Sequence, residues 1–145
     1  MRLIRHTGIY VRNLERMKEF YCRYFDMEVA VHDTEGGAYS ETILGVPSIS
    51  VELYKLRCKD GTMIELLRPT VEQGKESYAD SVTCFGCLHI AFTVDDLDSM
   101  YREMMAEGIK FISKPTISPN KMANVCFCRD PEGNYLELVQ EMHGN

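Results

Sequence analysis

The chain of 145 residues contains an internal repeat. The segment "HTGIYVRNLERM" near its start is matched later by "HIAFTVDDLDSM", and the same offset in residue number that relates His6 to His89 also relates Leu14 to Leu97. A second pair of segments, "GTMIELL" and "GNYLELV", contains Glu65 and Glu137 at a shorter common offset. The second half therefore repeats the first with residues deleted from its middle. Such a repeat predicts one supersecondary unit used twice.

The pattern of apolar residues predicts the elements of each unit. For the first half we expect a helix at 14–25 and strands at 3–11, 27–33, 39–44, 50–58 and 62–68. For the second half we expect a helix at 96–107 and strands at 88–94, 109–112, 123–129 and 134–141. We interpret both halves as βαβββ modules of an α+β protein with a single domain: module one at 1–68, a connector at 69–86 and module two at 87–145.

Charge and hydropathy exclude several classes of function. The chain has 16 Lys and Arg against 22 Asp and Glu, a formal net charge of −6, and no basic run longer than a pair. A nucleic-acid-binding surface needs a basic patch, so we do not expect a nucleic acid as partner. The start of the chain has no apolar signal segment, and its apolar runs are all far shorter than a membrane-spanning helix requires. We therefore expect a soluble, cytoplasmic protein with no membrane partner.

The cysteines suggest an alternative functional site, built from thiolates. Cys84 and Cys87 form "CFGC", and with Cys126 and Cys128 they would supply four thiolates for a metal or a redox reaction. The spacing matches no zinc ribbon, and Cys126 and Cys128 fall on one face of a predicted strand, where cysteine behaves as a small hydrophobic residue. We favour reduced cysteines with a structural role.

Each half carries one histidine in its first strand and one glutamate in its last, among apolar neighbours. A carboxylate on an apolar strand is costly unless a cation meets it. If the first and last strands of each unit lie side by side, His6, Glu65, His89 and Glu137 would converge on one divalent cation. A lone histidine or glutamate of this kind is usually an ordinary core or surface residue. The presence of a histidine and a glutamate at matching places in both halves favours the interpretation that these residues are metal ligands.

Four segments resemble the vicinal oxygen chelate superfamily, the group of glyoxalase I, bleomycin-resistance proteins and extradiol dioxygenases: "HTGIYVRNLERMKEFY", "GTMIELL", "GCLHIAFTVDDLD" and "RDPEGNYLELVQ". The resemblance implies two βαβββ modules forming a cup-shaped mixed sheet with helices on the outside. It implies one divalent ion, Ni, Zn, Co or Mn, at His6, Glu65, His89 and Glu137. It also implies a homodimer.

The resemblance also implies a reaction. Glyoxalase I has a glutamate where this chain has Glu65, whereas extradiol dioxygenases use two histidines and one carboxylate, and methylmalonyl-CoA epimerase usually has glutamine there. A metal-dependent lyase or isomerase of the lactoylglutathione lyase type is therefore implied, acting on a small molecule through an enediolate. Glu137 first, then Glu65, are candidate catalytic bases. An epimerase-like racemase and a metal-free binding protein remain alternatives.

Basic residues are candidates for holding an anionic end of the substrate. Arg68 and Lys121, with Lys114, are the residues we consider for this role. Solvated surface charge is the commoner function of such side chains.

Overall fold

A computed structural model describes residues 3–70, 83 and 85–142 of the chain, so most of the predicted connector lies outside the described residues. The described residues form three helices and eight strands: β1 (Thr7–Tyr10), α1 (Leu14–Phe25), β2 (Glu28–Glu35), α2 (Gly37–Leu44), β3 (Val51–Arg57), β4 (Met63–Pro69), β5 (His89–Thr93), α3 (Leu97–Ala106), β6 (Thr116–Ile117), β7 (Ala123–Arg129) and β8 (Tyr135–Glu141). They belong to two compact units, Met1–Glu76 and Ser77–Asn145. Within the described ranges, no helix has both the length and the hydropathy needed to cross a lipid bilayer.

The first unit is a four-stranded mixed sheet with the strand order β1-β4-β3-β2. β1 runs parallel to β4, and the other pairs are antiparallel. Helix α1 contacts β3 and β4 and buries one apolar stripe on the sheet. The helix is capped by Asn13, whose side chain accepts a hydrogen bond of 3.0 Å from the backbone N–H of Arg16 and so satisfies a donor that the first turn leaves open.

The second unit repeats this plan in a sheet with the order β5-β8-β7-β6, in which β5 is parallel to β8. Helix α3 contacts β8, and it is capped by Asp96, which accepts a 3.0 Å hydrogen bond from the N–H of Ser99. The core of this unit includes these buried residues: Leu97, Met104, Cys126, Cys128, Leu136 and Leu138. Two mixed four-stranded sheets with their helices confirm the predicted α+β class.

The predicted strand at 39–44 is wrong, because this segment is the helix α2. The apolar and β-branched residues of "AYSETILGV" are typical of a strand, but glycines delimit a helix here. Gly45 adopts φ +67°, and its N–H donates to the carbonyl of Glu41 at 2.9 Å, which ends the helix in the left-handed conformation that glycine favours.

The predicted strand at 109–112 is also wrong. Phe111 forms an isolated bridge with Cys128, and the strand beside β7 is the two-residue β6, which the sequence pattern did not predict. Pro115 follows shortly after, and proline has no N–H to extend a ladder of hydrogen bonds. The first strand is shorter than predicted, so His6 lies just before β1 while His89 is the first residue of β5.

Candidate functional site

The parallel pairing of β1 with β4 brings His6 and Glu65 together in the first unit. Gly8 lies opposite Glu65 in the register, and His6, two residues earlier, lies on the same face of the sheet. The Nε2 atom of His6 is 3.0 Å from Oε2 of Glu65. The Glu65 side chain is only 12% exposed, so the carboxylate needs this partner.

The parallel pairing of β5 with β8 does the same in the second unit. Ala91 lies opposite Glu137, and the Nε2 atom of His89 is 3.2 Å from Oε2 of Glu137. The ring of Phe127 packs edge to face against His89, with the ring centroids 5.3 Å apart. The structure therefore assembles the His–Glu pair that the sequence repeat predicts in each unit separately.

The separation of the two donor atoms in each pair suits a shared cation. Nitrogen and oxygen ligands bind first-row divalent ions at about 2.0–2.2 Å, so two neighbouring ligands at a right angle lie about 3 Å apart. The measured separations are 3.0 and 3.2 Å. Among the described residues, no three His, Cys, Asp or Glu side chains gather in a metal-binding group. Each pair by itself therefore supplies two of the four predicted ligands.

The ring of His6 has one further feature. Its Nδ1 atom is buried and has no hydrogen-bond partner within the part of the chain that the structure describes. Metal-ligating histidines generally use their second ring nitrogen in such a hydrogen bond, which fixes the ring. Among the described residues, His6 lacks this second hydrogen bond, and its recorded polar contact is the one to Glu65.

Lys55 makes the two pairs unequal, and the sequence reasoning missed it. Lys55 lies opposite Glu65 in the β3–β4 register, and its Nζ atom is 3.3 Å from Oε1 of Glu65. Phe127 holds the matching place opposite Glu137. Both oxygens of Glu65 thus have partners, whereas Glu137 is engaged through Oε2 alone among the described residues. The offset in residue number between Glu65 and Glu137 is also the offset between Lys55 and Phe127. The sequence repeat could therefore have indicated that Lys55 lies beside Glu65, at the place that Phe127 holds beside Glu137.

Arg68 lies away from these pairs. It is opposite Glu52 in the register and forms an ion pair with Oε2 of that residue, while His32 Nε2 lies 3.0 Å from Oε1. The hydrogen bond from His32, then the charge of Arg68, lower the pKa of Glu52. Strand alternation puts Arg68 and Glu65, three residues apart, on opposite faces of the sheet.

The other two basic candidates lie in the second unit. Lys114 and Lys121 are exposed and flank β6. Lys121 adopts φ +59° in the turn that leads into β7, where its N–H donates to the carbonyl of Ser118. The structure records no ion pair that joins either lysine to the His–Glu pairs of the described residues.

The cysteines of β7 lie in the core. Cys126 and Cys128 are 1% and 0% exposed, and burial raises the pKa of their thiols to about 11 and about 12. A thiol with such a pKa is protonated at neutral pH and is a poor nucleophile or metal ligand. Cys84, which the four-thiolate alternative also needs, lies outside the described residues.

The comparisons with known proteins agree on one protein family. The model of the Glyoxalase/Bleomycin resistance protein/Dioxygenase superfamily matches residues 3–138. Lactoylglutathione lyase of Schizosaccharomyces pombe is 29% identical over 150 residues, which cover 95% of this chain and 47% of that protein. Lactoylglutathione lyase of Pseudomonas aeruginosa is 28% identical over 144 residues, covering 93% of this chain and 80% of that protein. The chain thus spans about half the length of the fission yeast relative.

The fold also matches a solved structure. The crystal structure of a glyoxalase family protein from Bacillus cereus aligns with a TM-score of 0.89 at 23% sequence identity, and the alignment covers 99% of this chain and 97% of that one. At this identity the likeness concerns the fold.

Proposed function

The chain belongs to the Glyoxalase/Bleomycin resistance protein/Dioxygenase superfamily, and from this premise we propose that it is a metal-dependent lyase or isomerase of the glyoxalase I type. Relatives named lactoylglutathione lyase support this at the family level. The observation that carries the proposal is the occurrence of a His–Glu pair at the same repeat position in each unit, with donor atoms 3.0 and 3.2 Å apart.

In this proposal His6, Glu65, His89 and Glu137 hold one divalent ion. Two imidazole nitrogens and two carboxylate oxygens suit Ni, Zn, Co and Mn. When bound, such an ion polarises the carbonyl of a small-molecule substrate and makes the neighbouring C–H group more acidic.

The unequal partners of the two glutamates suggest how their roles divide. Oε1 of Glu137 has no partner among the described residues and is available to accept the proton of the α-carbon. Glu137 then delivers a proton to the adjacent carbon while the hydroxyl proton of the substrate passes to the neighbouring oxygen, so the substrate isomerises without an oxidant or reductant. Glu65, held by both His6 and Lys55, serves mainly as a ligand.

Glutamine substitutions test this division. In metal-loaded Glu137→Gln, we expect the kcat for the hemithioacetal of methylglyoxal and glutathione to fall about 10²- to 10⁴-fold, the range typical of general acid–base catalysis. Glu65→Gln should lower metal affinity more than the kcat of the loaded protein. A wild-type kcat in Glu137→Gln would place the base elsewhere. The absence of turnover in the metal-loaded wild type would instead favour a binding protein.

We also propose that the protein acts as a homodimer, as the resemblance implies. Static light scattering of the purified protein should give twice the mass of the 16.7 kDa chain. A mass of one chain at the concentration of the activity assay would contradict the proposal.

A further inference from the structure

Lys55 brings a positive charge into contact with the His6–Glu65 pair. Its Nζ atom is 3.3 Å from Oε1 of Glu65, and its side chain is 24% exposed. Within the part of the chain that the structure describes, no ion pair joins Lys55 to another carboxylate. An ammonium group that is partly withdrawn from water is costly unless a carboxylate pairs with it. Lys55 therefore depends on Glu65 for its partner.

The register of the first sheet fixes the place of Lys55. It lies on β3, opposite Glu65 of β4 on one side and opposite Val31 of β2 on the other. β3 is thus an inner strand, with a hydrogen-bonded neighbour on each side. The backbone at Lys55 is held by both neighbours, so the ammonium stays within reach of Glu65 when another group binds that carboxylate.

This charge has no equivalent at the matching place of the second unit, where apolar Phe127 lies opposite Glu137. The basic residues that the sequence suggested for holding an anion make no recorded ion pair with either His–Glu pair: Arg68, Lys114 and Lys121. Lys55, which the sequence did not suggest, does make one. It is therefore the better candidate for recognising an anion beside the reacting atoms.

The charges of the proposed metal site leave Lys55 without a full partner. The carboxylates of Glu65 and Glu137 together balance the charge of one divalent ion, so no negative charge remains for the ammonium once the ion is bound. The ion and the ammonium are both positive and share Glu65, so each opposes the other. A single negative charge supplied by a ligand would restore the balance and pair with Lys55.

We propose that Lys55 couples the binding of the metal ion to the binding of an anion. Lys55 weakens metal binding while the site holds no anion, and it gives the site a preference for a substrate that carries a carboxylate close to its carbonyl. The inference rests on the proposed function, because it takes Glu65 as a metal ligand. Coupling between two ligands is reciprocal, so such an anion strengthens metal binding by the same factor by which the metal strengthens anion binding.

The first measurement is zinc affinity, by competition against a chromophoric chelator and without turnover. Lys55→Met and Lys55→Gln both remove the charge, and glutamine keeps a donor for Glu65 in case methionine impairs folding. Both variants should bind zinc about 5- to 150-fold more tightly than the wild type, the usual range of coupling between two ligands. Lys55→Arg, which keeps the charge, should retain the wild-type affinity.

Lys59→Met is the matched control, because it removes the same charge from the same unit at a distance from the His–Glu pairs. Lys59 pairs with Asp26 at 3.1 Å, and its side chain is 83% exposed. This variant should bind zinc as the wild type does. Circular dichroism of every variant shows whether the fold is kept.

The second measurement is the binding of pyruvate and of pyruvamide to the zinc-loaded protein, by calorimetry. Pyruvate carries a carboxylate next to its carbonyl, whereas pyruvamide has nearly the same size and no charge. The wild type should prefer pyruvate about fivefold or more, and Lys55→Met should lose most of this preference. Direct contact of the carboxylate with zinc is common to all variants, so the difference between them reports the contribution of Lys55.

The outcomes separate this inference from the proposed function. Unchanged zinc affinity in both Lys55→Met and Lys55→Gln would overturn the coupling, and so would an equal gain in Lys59→Met. A preference for pyruvate that persists in Lys55→Met would overturn the role in anion binding. Failure of the wild type and all variants to bind zinc would instead overturn the metal site itself, and the coupling with it.

Discussion

Removing one histidine from either pair should weaken metal binding by the same amount. His6 and His89 hold equivalent positions in the repeat, and their Nε2 atoms lie 3.0 and 3.2 Å from the paired carboxylates. If all four residues hold a single ion, His6→Ala and His89→Ala each remove one of four ligands from the same site. Two independent sites would respond separately.

The size of the effect follows from the number of ligands. Four-ligand zinc sites in small domains bind with about 10–16 kcal/mol of apparent free energy, so one ligand of four accounts for about 2.5–4 kcal/mol. At about 1.4 kcal/mol for each factor of ten, either substitution should raise the metal Kd about 10²- to 10³-fold. Both side chains are partly exposed, at 28% and 44%, so the fold should tolerate their loss.

The assay is metal content by plasma mass spectrometry on protein purified without tag or chelator, followed by competition against a chromophoric chelator. His32→Ala is the matched control. His32 Nε2 also lies 3.0 Å from a carboxylate oxygen of Glu52, but Arg68 forms an ion pair with the other oxygen of Glu52. In the second half of the sequence, the residue at the position that corresponds to Glu52 is Asn124, so the repeat contains no second glutamate of this kind. The control should keep wild-type metal content.

Either of two outcomes would refute the single-site reasoning. One is loss of metal in His89→Ala with full retention in His6→Ala, or the reverse, since both supply ligands to the same ion. The other is an equal loss in His32→Ala, which would mean that any exposed His–Glu pair of this chain collects metal. Circular dichroism of each variant separates loss of a ligand from loss of the fold.

Three further predictions concern stability and reactivity. Asn13→Ala should lower the free energy of unfolding in urea by about 1 kcal/mol through loss of the cap of α1, and an unchanged midpoint would contradict this. The hydrogen bond from the N–H of Ser99 lowers the pKa of Asp96, so the charged carboxylate stabilises the fold at pH values above the ordinary carboxyl pKa and loses this effect as the pH falls through its own pKa. In Asp96→Asn the urea midpoint should therefore decline less steeply in acid than in the wild type. A parallel decline would refute this. Cys126 and Cys128 should resist iodoacetamide at neutral pH until the protein unfolds, as mass spectrometry would show, and rapid labelling of the folded protein would contradict their burial.

The two wrong strand predictions share a physical cause. The segments at 39–44 and 109–112 are short, and their β-branched and apolar residues suit either a strand or a buried helix or loop. What decided 37–44 was the left-handed backbone of Gly45 and the contact of Glu41 with Ser48, neither of which periodicity reports. At 109–112 the pairing with β7 is limited to the single bridge between Phe111 and Cys128, so this segment does not form a strand.

Local patterns in the sequence were enough to predict the repeat, the α+β class, both long helices and the identity of the paired histidines and glutamates. Alternation along a strand and spacing along a helix depend only on nearest neighbours in the chain, so a single sequence records them. The tertiary structure decided which distant residues meet. Parallel pairing of β1 with β4 placed His6 against Glu65, and the β3–β4 register added Lys55. Helix α2 likewise lines a cavity beside Glu65 through Ser40, Ile43 and Leu44, and no local pattern records such a long-range arrangement.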